Sequence, residues 1–379
     1  MIVTPFALIL SLLLGLLALA VVLVSVFLLR RANRHAELIE VRPDGTIVKT
    51  SLSDQDRSRK IVLLAIAAGL LLSVCFGRFA VLSLRPSGPD FPQDEFGPAT
   101  RHVAGVKGED LVVEESGPAS APRLIFTHGW GADRREWSYA GRRLSDRFRV
   151  VTWDLPGLGQ STPVPDGNYA LETLASDLKA VLTATGPGPA ILVGHSIGGM
   201  TNLTFFRLFG DNLENVAGVV QLNTTYKNPV TTVKNHEFAE ALQKPVYEPL
   251  LHVITWTSPV VRALSWLSYQ SGLAHLQNAS SSFAGAETRE QLDFVSKYFY
   301  RSSPGIVARG TLGMLHWDAS DALARVKVPV LIISGDQDTT TLPSASEHMA
   351  RTMQSATRIG VSPAAHLGPI EQHERYSSE

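Results

Sequence analysis

Cysteine is almost missing from this chain: Cys75 is the only one in 379 residues. A single thiol excludes an intramolecular disulfide framework and any cysteine-based zinc site. Charge is scarce as well. Asp, Glu, Lys and Arg make up 18% of the residues, below the roughly 25% of ordinary soluble domains, and the mean hydropathy is slightly positive at +0.08. The 34 Lys and Arg nearly cancel the 35 Asp and Glu, leaving a formal net charge of −1. A nucleic-acid protein needs a clustered excess of basic side chains, so no nucleic-acid partner is expected. Ample apolar content with little charge also excludes an intrinsically disordered chain. What remains is one large or two modest globular domains, at roughly 150 residues each, with part of the chain in lipid.

The lipid part comes first. Phe6 to Leu29 contains no charged residue. These 24 residues give roughly 36 Å of helix, enough to cross a hydrocarbon core of about 30 Å with some tilt. A cleaved signal peptide fits less well, because no Lys or Arg precedes the run and it exceeds an h-region of roughly 7–15 residues. A second apolar stretch, Ile61 to Leu84, is interrupted only by Arg78, which is near enough to the far end to snorkel to the interface. The competing reading of that stretch is a buried soluble helix. Gly69 and Gly77 would allow another helix to approach closely.

Arg30, Arg31, Arg34, Arg42, Lys49, Arg57, Arg59 and Lys60 crowd the loop at 30–60, whereas no basic residue precedes Phe6 and only Arg85 closely follows Leu84. The positive-inside rule then puts this loop in the cytoplasm and everything after residue 85 on the periplasmic or extracellular side. Within the loop, Val41 to Val48 reads as a small hairpin turning at Pro43-Asp44-Gly45. The expected organisation is a multi-pass anchor over 1–84 with spans near 6–29 and 61–84, a linker over 85–100, and a larger domain over 101–379. Prolines at 86, 89 and 92 make the linker, since that density cannot continue a helix or a central strand.

Beyond the linker, short β-type runs alternate with helical stretches, the pattern of an α/β fold. Ala190-Ile191-Leu192-Val193 reads as a buried strand and leads directly into Gly194-His195-Ser196-Ile197-Gly198-Gly199. Met200, Leu203, Phe206 and Leu208 follow at roughly helical spacing. Strand, Gly-x-Ser-x-Gly, helix is the pattern of a nucleophile elbow. The glycines have a steric reason: on so sharp a turn, side chains two positions either side of the serine would strike neighbouring backbone. The blander alternative is a serine that merely caps a helix.

With these residues the sequence resembles the α/β-hydrolase superfamily, from about Leu111 onward. Leu124 to Gly131 looks like that family's strand and oxyanion loop, and Trp137 stands where the family often has an aromatic residue. Val150 to Ser161 resembles its next strand with the Asp-x-Pro-Gly-x-Gly-x-Ser loop. Pro329 to Asp338 resembles the late strand that delivers an acid, and Ala365-His366-Leu367 the segment that delivers a base. The implied fold is a mostly parallel central sheet flanked by helices, with a helical cap, preceded here by two transmembrane helices.

The resemblance also implies roles. Ser196 would be the nucleophile, His366 the base and Asp338 the acid that orients it, in the family's order Ser, Asp, His. Backbone N–H groups of Trp130 and Ile197 would form the oxyanion hole. Competitors remain: Asp336, two residues before Asp338, although the Gly-x-x-Asp spacing from Gly335 favours Asp338; and His373 in place of His366, although it lies where the closing helix should begin. His128 and His195 belong to glycine-rich motifs that shape loops, and Asp154 is expected to be structural. The Trp130 indole would either wall an acyl pocket or simply pack. Only 13 residues follow His366, so the closing helix should be short.

Gly218 to Leu222 reads as a core strand, and the next such strand starts only at about Val328. So long an interval should fold as a separate helical unit, which the resemblance identifies as a cap at about 224–325. Within it Val253, Trp256, Val260, Leu264 and Leu267 fall at helical spacing, interrupted by Pro259. Packing of this stripe between cap and core is the first expectation; a greasy entrance facing the bilayer is the second. Asn278-Ala279-Ser280 matches a glycosylation acceptor, a tripeptide too frequent to carry weight.

The function these readings imply is hydrolysis of a small-molecule or lipid-like carboxylic ester through an acyl-enzyme intermediate, with no metal or organic cofactor. An acyltransferase or perhydrolase, a carbon–carbon bond hydrolase on the same triad, and a ligand-binding receptor are the alternatives. Serine at the elbow argues against relatives that use a carboxylate nucleophile.

Overall fold

The computed structural model describes residues 5–34, 38–41, 43–50, 54–210 and 215–379. Two long helices, α1 (Pro5–Arg34) and α2 (Asp54–Ser83), precede the domain. Each holds a stretch long and apolar enough to cross a membrane, Leu13–Arg31 and Arg57–Ser83, of which only 17% and 11% is buried inside the protein. A soluble core helix buries its apolar face, so burial this low disfavours that reading. Between them β1 (Leu38–Val41) and β2 (Ile47–Thr50) pair antiparallel, with Val41 opposite Ile47, as the hairpin reading expects. Arg42 of that turn lies outside the described residues.

The domain is built on an eight-stranded sheet: β3 (Arg101–Ala104), β4 (Asp110–Ser116), β5 (Arg123–Thr127), β6 (Arg149–Trp153), β7 (Ala190–His195), β8 (Val216–Leu222), β9 (Val330–Gly335) and β10 (Ala356–Val361), in the order β10-β9-β8-β7-β5-β6-β4-β3. Strands β5 to β10 run parallel; β3 and β4 are antiparallel. Parallel strands covered on both faces are apolar on both, as β5, β7 and β9 are, whereas the edge strand β10 is half exposed. Leu124 and Phe126 of β5 join Trp137, Val193, Leu222 and Ile333 on one face, while Ile125 joins Val151 and Leu192 on the other. Each such side chain contributes about 1.5–3 kcal/mol when fully buried.

Helix α3 (Ser138–Leu144) follows β5, α4 (Leu171–Ala184) follows β6, and α5 (Ile197–Phe209) follows β7. After β8 comes an almost wholly helical insertion: α6 (His236–Leu242), α7 (Glu248–Trp256), α8 (Ser258–Gln270), α9 (Leu273–Ser281), α10 (Arg289–Arg301) and α11 (Pro304–Met314). Helix α12 (Pro343–Thr352) joins β9 to β10, and the short α13 (Gly368–Glu371) and α14 (His373–Ser378) follow β10.

One expectation changes here. The stripe on α7 and α8 does not pack between cap and core along its length: Val253, Trp256 and Val260 are 53%, 87% and 61% exposed. Periodicity marks an apolar face without saying what covers it: Leu264 is buried against α1, and Leu267 is half-buried. A Cβ on Gly15 of α1 would stand 2.6 Å from Leu264 Cβ. Pro259 does break the run, since α7 ends at Trp256 and α8 starts at Ser258 with the proline in its first turn. The segment after Leu84 has no helix or strand until β3, yet it is pinned as a strap. Arg85 pairs with Glu287 at 2.8 Å, Asp90 with Arg142 at 2.7 Å, and Asp94 with Lys297 at 2.7 Å and Arg301 at 2.6 Å.

Candidate active site

Ser196 sits at the end of β7 with φ +59°, a conformation that costs a non-glycine residue about 1–3 kcal/mol. The flanking glycines make the turn possible. A Cβ on Gly194 would stand 2.4 Å from the Gly198 backbone, and one on Gly198 would stand 2.2 Å from Thr127 O. The turn is held from outside as well. Ser196 N donates to Leu222 O at 3.0 Å, and Thr224 Oγ1 donates to Ser196 O at 2.6 Å. The serine thus stands at the N-terminus of α5, where the helix dipole favours developing negative charge.

Asp338 lies just beyond β9. Its Oδ1 accepts from Thr340 N at 2.8 Å and Thr341 N at 2.9 Å; its Oδ2 accepts from Thr341 Oγ1 at 2.8 Å and His366 Nδ1 at 2.7 Å. Burial works against the charged carboxylate, but His366 and Thr341 outweigh it and hold Asp338 below the usual carboxylate range. Burial also pushes the His366 imidazole below its ordinary value, despite the opposing pull of Asp338. The ring is therefore neutral at neutral pH, with its Nδ1 proton directed at Asp338. Its Nε2 is buried and, among the described residues, has no partner; no hydrogen bond joins it to the Ser196 hydroxyl. The two loops are nonetheless adjacent. The ring of His195, next to the serine, is 4.8 Å from that of His366, centroid to centroid.

The competitors are engaged elsewhere. Asp336 accepts from Ser362 Oγ and Ala364 N, bracing its own loop. His373 stacks on Tyr139 with centroids 3.8 Å apart. His128 accepts from Leu155 N through Nε2 at 3.0 Å, a loop-shaping contact. Asp154 accepts from Arg134 N at 2.7 Å and Gln160 N at 2.9 Å and pairs with the Arg134 guanidinium.

Among the described residues, neither the Trp130 N–H nor the Ile197 N–H has an acceptor. Unsatisfied donors at a buried turn are costly unless something external uses them. Of the two readings of the Trp130 side chain, the structure favours packing: the indole is fully buried, donates to Val307 O at 2.9 Å, and fills the space over Gly310.

Two residues here escape sequence reasoning. Glu136 is fully buried; its Oε2 accepts from Gly129 N at 2.7 Å in the loop after β5, and its Oε1 pairs with His195 Nδ1. Burial opposes its charge, but the neighbouring His195 holds Glu136 at about 2. His195 Nε2 in turn donates to His366 O at 3.0 Å. Asn223, past β8, donates to Ala365 O at 2.9 Å and His366 O at 2.8 Å, while its Oδ1 accepts from Gly335 N at 2.9 Å and Tyr376 Oη at 3.0 Å. The final helices are short, as expected, and the His366 loop is held by these bonds instead. Asn278 is buried and donates to Ser296 Oγ, so the glycosylation match is inaccessible in the folded protein.

A family model described as the alpha/beta hydrolase fold matches residues 122–372. The chain is 26% identical over 285 residues to 3-oxoadipate enol-lactonase 1 of Acinetobacter baylyi, covering 72% of this chain and 92% of that one. It is 27% identical over 265 residues to the magnesium-chelatase 30 kDa subunit of Rhodobacter capsulatus, covering 65% and 82%. Among solved structures, a thermophilic esterase from Thermogutta terrifontis superposes with a TM-score of 0.59 at 25% identity, over 73% of this chain and 95% of that one.

Proposed function

From the premise that the chain belongs to the alpha/beta hydrolase fold family, we propose that it is a membrane-anchored serine hydrolase cleaving carboxylic esters through an acyl-enzyme intermediate. The observation that carries this reading is the 2.7 Å bond from His366 Nδ1 to Asp338 Oδ2, which leaves on the ring a buried Nε2 with no partner among the described residues. An enol-lactonase and an esterase among its relatives support ester chemistry.

In this reading His366 Nε2 accepts the Ser196 proton as Oγ attacks the carbonyl carbon. Asp338 fixes the tautomer and stabilises the imidazolium. The carbonyl oxygen, now negative, is received by the free N–H groups of Trp130 and Ile197; losing one such donor typically costs about 10²–10³ in rate. His366 then protonates the departing alcohol, and Ser196 retains the acyl group. Water, deprotonated by the same imidazole, attacks the acyl carbon and regenerates the serine.

The anchor reading takes α1 and α2 as spans, with 30–60 cytoplasmic by the positive-inside rule and the domain over 101–379 on the opposite side. Helices between β8 and β9 then form the cap. The test uses the full-length protein in detergent or nanodiscs with p-nitrophenyl esters of rising chain length. Turnover by the parent and none by Ser196→Ala is expected; equal rates for both would overturn the assignment.

A further inference from the structure

The apolar corner between α7 and α8 has no covering partner among the described residues. From Val253 to Val261 the chain runs nine residues without a charge, and Val253, Trp256 and Val260 all face outward. Isolated exposed apolar residues are ordinary; a nearly bare Trp beside two exposed valines on one uncharged corner marks a contact surface.

The two N-terminal helices fix what that surface meets. Helix α1 lies along α8 at Gly15 and Leu264, and α2 meets the end of α8, where a Cβ on Gly77 would stand 2.3 Å from Ser271 O. The Arg78 guanidinium lies 4.9 Å from the centroid of the Tyr269 ring. Arg30 ends the apolar run of α1 and Lys60 precedes that of α2, so both mark one membrane face. Gly15 is 15 residues from Arg30 and Gly77 is 17 from Lys60, or about 22 Å and 26 Å along the helices. A hydrocarbon core is about 30 Å thick, so both contacts lie about 4–8 Å inside its far boundary. Tilt of the spans would move them deeper. Helix α8 cannot hold these contacts and stay wholly in water.

We propose that the α7–α8 corner is a lipid-docking surface, with Val253, Trp256 and Val260 immersed in the leaflet that borders the catalytic domain. The inference rests on α1 and α2 being spans. A depth of about 5–10 Å is ordinary for an interfacial helix, and Trp is favoured at that level. Behind α8 lies a cavity of about 650 Å³, lined by Pro259, Arg262 and Trp266 of α8, by Tyr300 and Ser302 at the end of α10, and by Arg135 after β5.

The test places an environment-sensitive fluorophore on single cysteines in the full-length protein in phosphatidylcholine nanodiscs containing doxyl-labelled lipid. Native Cys75, exposed on α2, reports the spans; Trp256→Cys and Val260→Cys report the corner and Leu208→Cys on α5 is the aqueous control, each of the three with Cys75→Ser. Labels at 75, 256 and 260 should each lose at least about half their emission to doxyl groups, as a group about 5–10 Å deep would, while 208 stays bright. Quenching at 75 with none at 256 and 260 overturns the docking surface and leaves the anchor standing. Absence of quenching at all of them overturns both. The readout needs no turnover, so loss of the hydrolase reading would not affect it.

Discussion

The carboxylate of Glu136 lies against the imidazole of His195, and both side chains are completely buried. Through its other oxygen Glu136 holds the Gly129 N–H, and through Nε2 His195 holds the His366 carbonyl. One buried contact thus ties the loop at Gly129 to the loop carrying His366. Both ring nitrogens of His195 face acceptors, so its role is to hold these loops rather than to shuttle a proton.

Glu136→Gln keeps the shape of the side chain but removes its charge, leaving the two loops less firmly registered. Displacements near 1 Å at reacting atoms cost up to about 10²-fold in rate. A fall of that order in kcat on a short-chain ester, with little change in KM, is expected. Glu136→Ala should also lower Tm, since breaking a buried pair costs about 3–5 kcal/mol. Unchanged kcat in Glu136→Gln would show that the tie has no part in positioning.

Burial holds the His366 ring below its ordinary value of 6.5. The base works when neutral, so kcat/KM should rise with pH on an acid limb whose midpoint lies below about 6.5. Asp338→Asn removes the acceptor that fixes the tautomer, and a loss of about 10³–10⁴-fold in kcat is expected. A midpoint above the ordinary histidine value would contradict the buried, neutral ring.

Asp177 of α4 is buried beside Glu109; desolvation first, and then that neighbour, push it from 3.8 up to about 8. A folded-state value above the unfolded one gives stability that is complete below the unfolded value and is lost as pH rises through the folded one. Tm should therefore fall as the solution is taken from about pH 5 to about pH 9, and the fall should be shallower in Asp177→Asn. Thermal scans across this range check it; parallel pH profiles for parent and variant would refute the raised value of Asp177.

Gly198→Ala would place a Cβ 2.2 Å from Thr127 O, which is backbone and cannot swing aside. The elbow must then shift, taking Ser196 with it. Activity is expected to fall by about 10²-fold or more while the fold persists, as circular dichroism and ester turnover measured together would show. Parent-like turnover would mean the turn is less tight than described.

Much of this was legible from sequence because it is written locally. The Gly194–Gly198 turn, the apolar β-runs and the Pro259 break each declare themselves within a few residues. Asp338 and His366 emerged from their order along the chain and from family resemblance. Glu136 and Asn223 did not, because their partners are 59 and 143 residues away at His195 and His366, and an isolated Glu or Asn carries no periodic signal. The α7–α8 stripe was legible as an apolar face but not as an uncovered one, since its cover depends on where α1 lies. The segment 85–100 reads as linker because proline excludes regular structure, while the ion pairs of Arg85 and Asp94 reach residues some 200 positions onward.

Ester cleavage by the proposed route requires Ser196 to become covalently acylated. The direct measurement is peptide mass spectrometry of the full-length protein after rapid acid quench from a p-nitrophenyl ester, or after reaction with its phosphonate analogue. An acyl or phosphonyl mass on the peptide containing Ser196, absent in Ser196→Ala and slow to form in His366→Ala, is the predicted result. Release of p-nitrophenol with no adduct on that serine, or an adduct that persists in Ser196→Ala, would contradict it.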